Sequence, residues 1–92
     1  MKEFKGEVVT VVTVMGEIVG RVKNVTGDYV SLKNPRLFMR TNDGVGFAPG
    51  ICVSGESNPS EAMISMSTVV TICKTNDEIA KGWIEQTSGL IV

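Results

Sequence analysis

Gly16-Glu17-Ile18-Val19-Gly20-Arg21-Val22-Lys23-Asn24-Val25, then Thr26-Gly27-Asp28, then Tyr29-Val30-Ser31-Leu32-Lys33, is the stretch on which the fold turns. From Ile18 to Val25 the side chains alternate. Ile18, Gly20, Val22 and Asn24 share one face, and Val19, Arg21, Lys23 and Val25 share the other, which is the two-residue period of a strand. A glycine inside such a strand weakens it unless the backbone bends sharply or another chain segment approaches closely there, so Gly20 predicts a bend. Thr26-Gly27-Asp28 reads as a tight turn, with Gly27 free to take positive φ. Beyond it Val30 and Leu32 point inward, while Tyr29, Ser31 and Lys33 occupy the other face.

Working outward, Val8-Val9-Thr10-Val11-Val12-Thr13-Val14 is almost wholly β-branched, the strongest strand signal in the chain. Met15-Gly16-Glu17 is read as the reversal after it. Downstream, Pro35 cannot donate a ladder bond, so Arg36-Leu37-Phe38-Met39-Arg40 is expected as an edge or bent continuation. Residues 41–60 are rich in glycine and proline. They are either mobile or an extended hairpin turned by Asn42-Asp43-Gly44. Ala62–Met66 and Val69–Cys73 form two more apolar strands, separated by Ser67-Thr68. Then the period changes. Thr75-Asn76-Asp77-Glu78 fits a capping box, and Ile79, Ala80, Trp83 and Ile84 form one apolar stripe. Gly89 is placed to end the helix. The expectation is one domain over residues 1–92. It is an all-β, five-stranded, strongly bent antiparallel barrel over about 7–74, with a helix over about 76–88 that lays Trp83 across an open end.

Composition narrows the function. The chain has 92 residues, 42% hydrophobic, and a net charge of −1, which is too apolar for a disordered chain. Residues 1–40 carry seven basic side chains against four acidic, and residues 41–92 carry two against six. One copy is therefore no strong polyanion binder by bulk charge, although a symmetric assembly could concentrate the basic half on one face. There is no histidine, so Ser-His-Asp triads and imidazole acid–base chemistry are excluded. With no nucleophile–base pair visible, no enzyme and no cofactor are expected. Gly44-Val45-Gly46-Phe47-Ala48-Pro49-Gly50 fails as a phosphate loop because no lysine follows it and no helix begins there. Asp43, Glu56 and Glu61 are read as solvated loop acids. Cys52 and Cys73 are read as reduced thiols of a cytoplasmic protein, Cys73 buried. No apolar run approaches a membrane span, and no secretory signal is expected.

Residues 16–32 resemble the first signature of the Sm/LSm family: paired glycines, a hydrophobic residue, a turn acid, then an aromatic residue. Ile64-Ser65-Met66-Ser67-Thr68-Val69-Val70-Thr71-Ile72 is similar in spacing to the second. With its helix at the C-terminus, the pattern looks most like the Sm-like proteins of cyanophage-type tailed bacteriophages. The family's base-reading Asn falls on Ser31 and its Arg-Gly pair on Ser65-Met66, while Tyr29 keeps the aromatic stacking position. The resemblance implies a homo-oligomeric ring of about five to seven subunits closed head to tail. It also implies single-stranded RNA as the partner at a pore surface, and host-cell cytoplasm as the location if the protein is phage-encoded.

On that basis the RNA-binding candidates are Tyr29 for stacking, Ser31, Ser65 and Ser67 for hydrogen bonds, and Lys23 for phosphate. The ring-interface candidates are Ala62, Met63, Ile64, Met66, Val69, Val70 and Ile72. These strands are apolar with no Lys or Pro inside them, and an unpaired apolar edge invites pairing. The alternative is a structural or assembly ring without a nucleic-acid role, which the missing Asn and Arg-Gly and the acidic balance favour.

Overall fold

Residues 4–88 are described in a computed structural model of the chain. The valine-rich segment forms β1 (Val8–Thr13), and Val9 and Val11 point into the core. The chain reverses over Val14-Met15 rather than over Met15–Glu17. Thr13 Oγ1 accepts the Met15 N–H at 3.1 Å and donates to the Gly16 carbonyl at 2.9 Å. Gly16 itself has φ 136°, which explains a glycine at this position. β2 (Gly16–Val25) returns antiparallel to β1, with Val11 opposite Ile18.

At Gly20 the ladder is irregular and a neighbouring strand comes close. The β2–β3 register shifts across it, Val19 facing Arg36 and Arg21 facing Lys33. A Cβ on Gly20 would lie 3.1 Å from Leu32 Cβ and 3.2 Å from the Lys33 carbonyl. Gly20→Ala is therefore expected to destabilise the domain by about 1–3 kcal/mol through overpacking, a loss that denaturant titration would register.

β3 (Tyr29–Thr41) runs unbroken through Pro35 and bends at Asn34, whose φ is 50°. The bend divides its pairing. Tyr29–Lys33 pairs with β5 (Glu61–Ser65), while Phe38–Thr41 pairs with β4 (Gly44–Phe47) in a hairpin turned at Asn42-Asp43. This short β4 makes six strands where five were expected. A 3-10 turn (Met66–Thr68) leads into β6 (Val69–Lys74), which lies against β1. The strand order is β4-β3-β2-β1-β6, with β5 on β3. β5 and β6 do not pair with each other, so the sheet is not closed. Val9, Val11, Ile18, Val22, Val30, Leu32 and Ile64 form the main core, as the alternation in β2 and β3 requires.

Helix α1 (Asp77–Ser88) docks through Trp83 on the Arg21 side of β2, opposite the main core. Trp83 is 2% exposed, and its indole N–H donates to the Asn34 carbonyl at 2.9 Å. Arg21 stacks on the same ring at 5.6 Å, and Gly82 lies against Phe47. Val19, outside the main core, is buried on this face too. The rest of the stripe is looser: Ile79 and Ala80 are half-buried and Ile84 is exposed. The cap is Asn76, whose Oδ1 accepts the Ile79 N–H at 2.9 Å. Thr75 is buried instead, with its hydroxyl 2.9 Å from that of Thr10, and Asp77 and Glu78 favour the helix by their charge at its N-terminus. Gly89 lies outside the described residues.

Candidate functional site

The turn at 26–28 is set by a hydroxyl rather than by a glycine. Thr26 Oγ1 accepts the backbone N–H groups of Asp28 and Tyr29, both at 3.1 Å, while Gly27 is not in the left-handed region. A short polar side chain that bonds forward along its own backbone is a common turn device. The turn fixes where the chain enters β3 at Tyr29. Tyr29 then pairs with Ser65 across the β3–β5 ladder, and the Met66 N–H donates to the Asp28 carbonyl at 2.9 Å. Two turns far apart in sequence, 26–28 and 66–68, therefore meet at one end of the sheet.

Ser65 and Ser67 are brought together there. Their hydroxyls are 2.8 Å apart, Ser65 Oγ accepts the Ser67 N–H at 3.3 Å, and Thr68 Oγ1 donates to the Ser65 carbonyl at 2.8 Å. Both serines remain exposed, and Tyr29 is half-buried beside them. The other two candidates go elsewhere. Ser31 is buried and donates to Glu61 Oε2 at 3.2 Å. Lys23 donates to both carboxylate oxygens of Glu61, at 3.0 and 3.2 Å.

Glu61 is the residue the sequence reading misplaced. It is exposed, as a solvated acid is, but it is not in a loop: it opens β5 directly opposite Lys33 and clasps Lys23 from β2. Hydrogen bonding from Lys23 above all holds its carboxyl below the ordinary carboxylate value. Ser31 and the charges of Lys23 and Lys33 act in the same direction, against a desolvation effect that raises it. The group is charged through the neutral range. Its contribution to stability is present above the unfolded carboxylate value and fades as the pH falls through the lowered one. No spacing rule pointed to this cluster, because it depends on the β3–β5 register.

The interface candidates divide by face. Ile64 is buried, and Met66, Val69 and Ile72 pack against the core. Ala62 is half-buried. Met63 and Val70 are left outward, 63% and 68% exposed. β5 has β3 as its only strand partner and β6 has β1, so each has one open edge among the described residues. Cys73, expected to be buried, is exposed. On an edge strand whose Ile72 faces the core, its neighbour must face out. Its thiol makes only a weak contact, 3.8 Å, with the Thr10 carbonyl.

The sequence matches no family model and no curated protein. Among the described residues, no helix is long and apolar enough to cross a membrane.

Proposed function

We propose that this chain is an Sm-like ring subunit that binds single-stranded RNA at the end where the two turns meet. The bent antiparallel sheet, its C-terminal helix and its two open apolar edges support a barrel that closes into a ring by pairing β5 of one copy with β6 of the next. The observation that carries the RNA reading is half-buried Tyr29 paired across the ladder with Ser65, whose exposed hydroxyl meets that of Ser67. Repeated around a pore, that arrangement offers one stacking platform and one hydroxyl pair per subunit. Each base stacked on an aromatic ring contributes about 1–3 kcal/mol. The protein is read as a binding module rather than an enzyme, acting in the cytoplasm.

A second reading, a structural ring without RNA, is favoured by one feature. Glu61 occupies the cation of Lys23 and the hydroxyl of Ser31, leaving neither free for phosphate or base.

Fluorescence anisotropy with oligo(U) and oligo(A) across a salt series separates the two. Wild type is expected to bind at low salt, and Tyr29→Ala to bind at least about fivefold more weakly, the low end of one lost stack. Glu61→Gln, which removes the competing charge beside Lys23, is expected to tighten binding and steepen its salt dependence. Absence of wild-type binding at low salt, or equal binding by Tyr29→Ala, leaves only the structural ring.

A further inference from the structure

On the face away from α1, the segment that follows β4 lies along the edge of β3 and leaves a half-open cavity of about 310 Å³. Leu37 and Met39 form its floor. They alternate along β3 with Phe38, whose ring packs on Phe47 under the helix at a centroid distance of 5.0 Å. Pro49 and the fully exposed Val53 form an apolar rim, and Cys52 and Glu56, also exposed, supply the ionisable groups.

The cavity is pre-formed. The Leu37 N–H donates to the Gly50 carbonyl at 3.0 Å, the Ala48 N–H to the Leu37 carbonyl at 2.8 Å, and the Asn58 N–H to the Pro49 carbonyl at 2.6 Å. At the far end Arg36, 1% exposed, donates through Nη1 to the Pro35 and Pro59 carbonyls at 2.8 and 3.1 Å. It has no carboxylate partner among the described residues, and its Nε has no hydrogen-bond partner. A buried arginine held by carbonyls alone is a costly way to fasten a surface loop. A loop so fastened keeps its cavity open without a ligand, which lowers the ordering cost of binding.

We propose that this cavity is a binding site for a small molecule with an apolar body and a cationic end, such as an aryl-alkyl amine. Its size is at the lower bound of small-molecule sites, and its lining is mainly apolar with few polar groups, as such sites are. The charge selects the class. Glu56 lies exposed on the rim, makes no ion pair among the described residues, and no basic residue lines the cavity. An anionic ligand would meet an unpaired carboxylate, whereas a cation would neutralise it. Cys52 reports on occupancy. A Cβ on Gly55 would stand 2.6 Å from its sulfur, so the glycine leaves the room the thiol occupies beside the cavity.

The test uses the full chain carrying Cys73→Ser, which leaves Cys52 as the sole thiol, and follows its alkylation by iodoacetamide. Phenethylamine at about twice a millimolar Kd should slow alkylation about threefold. It should also shift the amide resonances of Leu37, Ala48 and Val53. Phenylacetate, with a similar apolar body and the opposite charge, should do neither. Glu56→Gln, an exposed change that spares the fold, should abolish the preference for the amine. Equal rates with and without phenethylamine overturn the proposal, as does equal protection by the two probes. A rate that falls with protein concentration alone also overturns it, because a second copy then fills the cavity.

Discussion

Trp83→Ala is expected to lower stability by about 3–5 kcal/mol, the usual cost of removing a fully buried aromatic ring. Set against the roughly 5–15 kcal/mol that stabilises a whole domain, this is a large share. The reason is the way α1 is attached. Trp83 is the one fully buried residue of the helix, and it alone supplies the hydrogen bond to the Asn34 carbonyl. Removing it frees the Asn34 carbonyl and unseats Arg21 together. Trp83→Phe keeps most of the packing and loses the N–H, so it should cost about 1–3 kcal/mol, the penalty for a buried acceptor left unpaired. Chemical denaturation followed by circular dichroism measures both. Wild-type tryptophan emission should be blue-shifted. An emission maximum typical of an exposed indole, or unchanged stability in Trp83→Ala, contradicts the docking of the helix.

Val70→Lys is expected to convert a cyclic oligomer into monomers without loss of fold. Val70 is 68% exposed near the start of β6, at the bulge between the Thr13–Val69 and Val12–Thr71 pairs, on a strand whose outer edge is open. A lysine on an edge strand blocks strand addition while leaving the intramolecular ladder to β1 in place. Ile72→Lys is the less informative change, because Ile72 packs against the core and its replacement also destabilises the single subunit. Sedimentation equilibrium at micromolar concentration reads the result. The wild type should sediment as a closed multiple of 9.9 kDa and Val70→Lys at that mass itself, with matching thermal melts. A wild type that is a clean monomer removes the ring and the pore-based RNA mechanism with it.

Much of the sheet was legible from local chemistry. The β-branched run of β1, the alternation of Ile18–Val25 and the inward Val30 and Leu32 each obey the two-residue period, and the core they form follows it. Gly20 was legible as a special position because a strand glycine serves a bend or a close approach, and the approach of Leu32 supplies the reason. The candidate site was less legible. Tyr29, Ser65 and Ser67, taken from the family resemblance, lie at one end of the sheet, yet Ser31 from the same resemblance and Lys23, taken for its nearness in sequence, are turned to Glu61.

What the amino-acid sequence determined by itself was what each segment can decide alone: strand period, helix period and the positions of bends. Tertiary structure decided everything that depends on register between distant segments. β4 is too short and glycine-rich to announce itself, and it becomes a strand only because the far half of β3 offers it a ladder. Thr75 is a strong capping residue that its neighbour Asn76 displaces, because Thr10 takes the Thr75 hydroxyl. Cys73 sits in an apolar run, yet the pairing of β6 with β1 turns Ile72 to the core and leaves the thiol outside. Glu61 is the sharpest case. Its three partners lie on strands 28 to 38 residues away in sequence, and a carboxylate finds such partners only after the sheet has set the register that brings them within hydrogen-bonding reach.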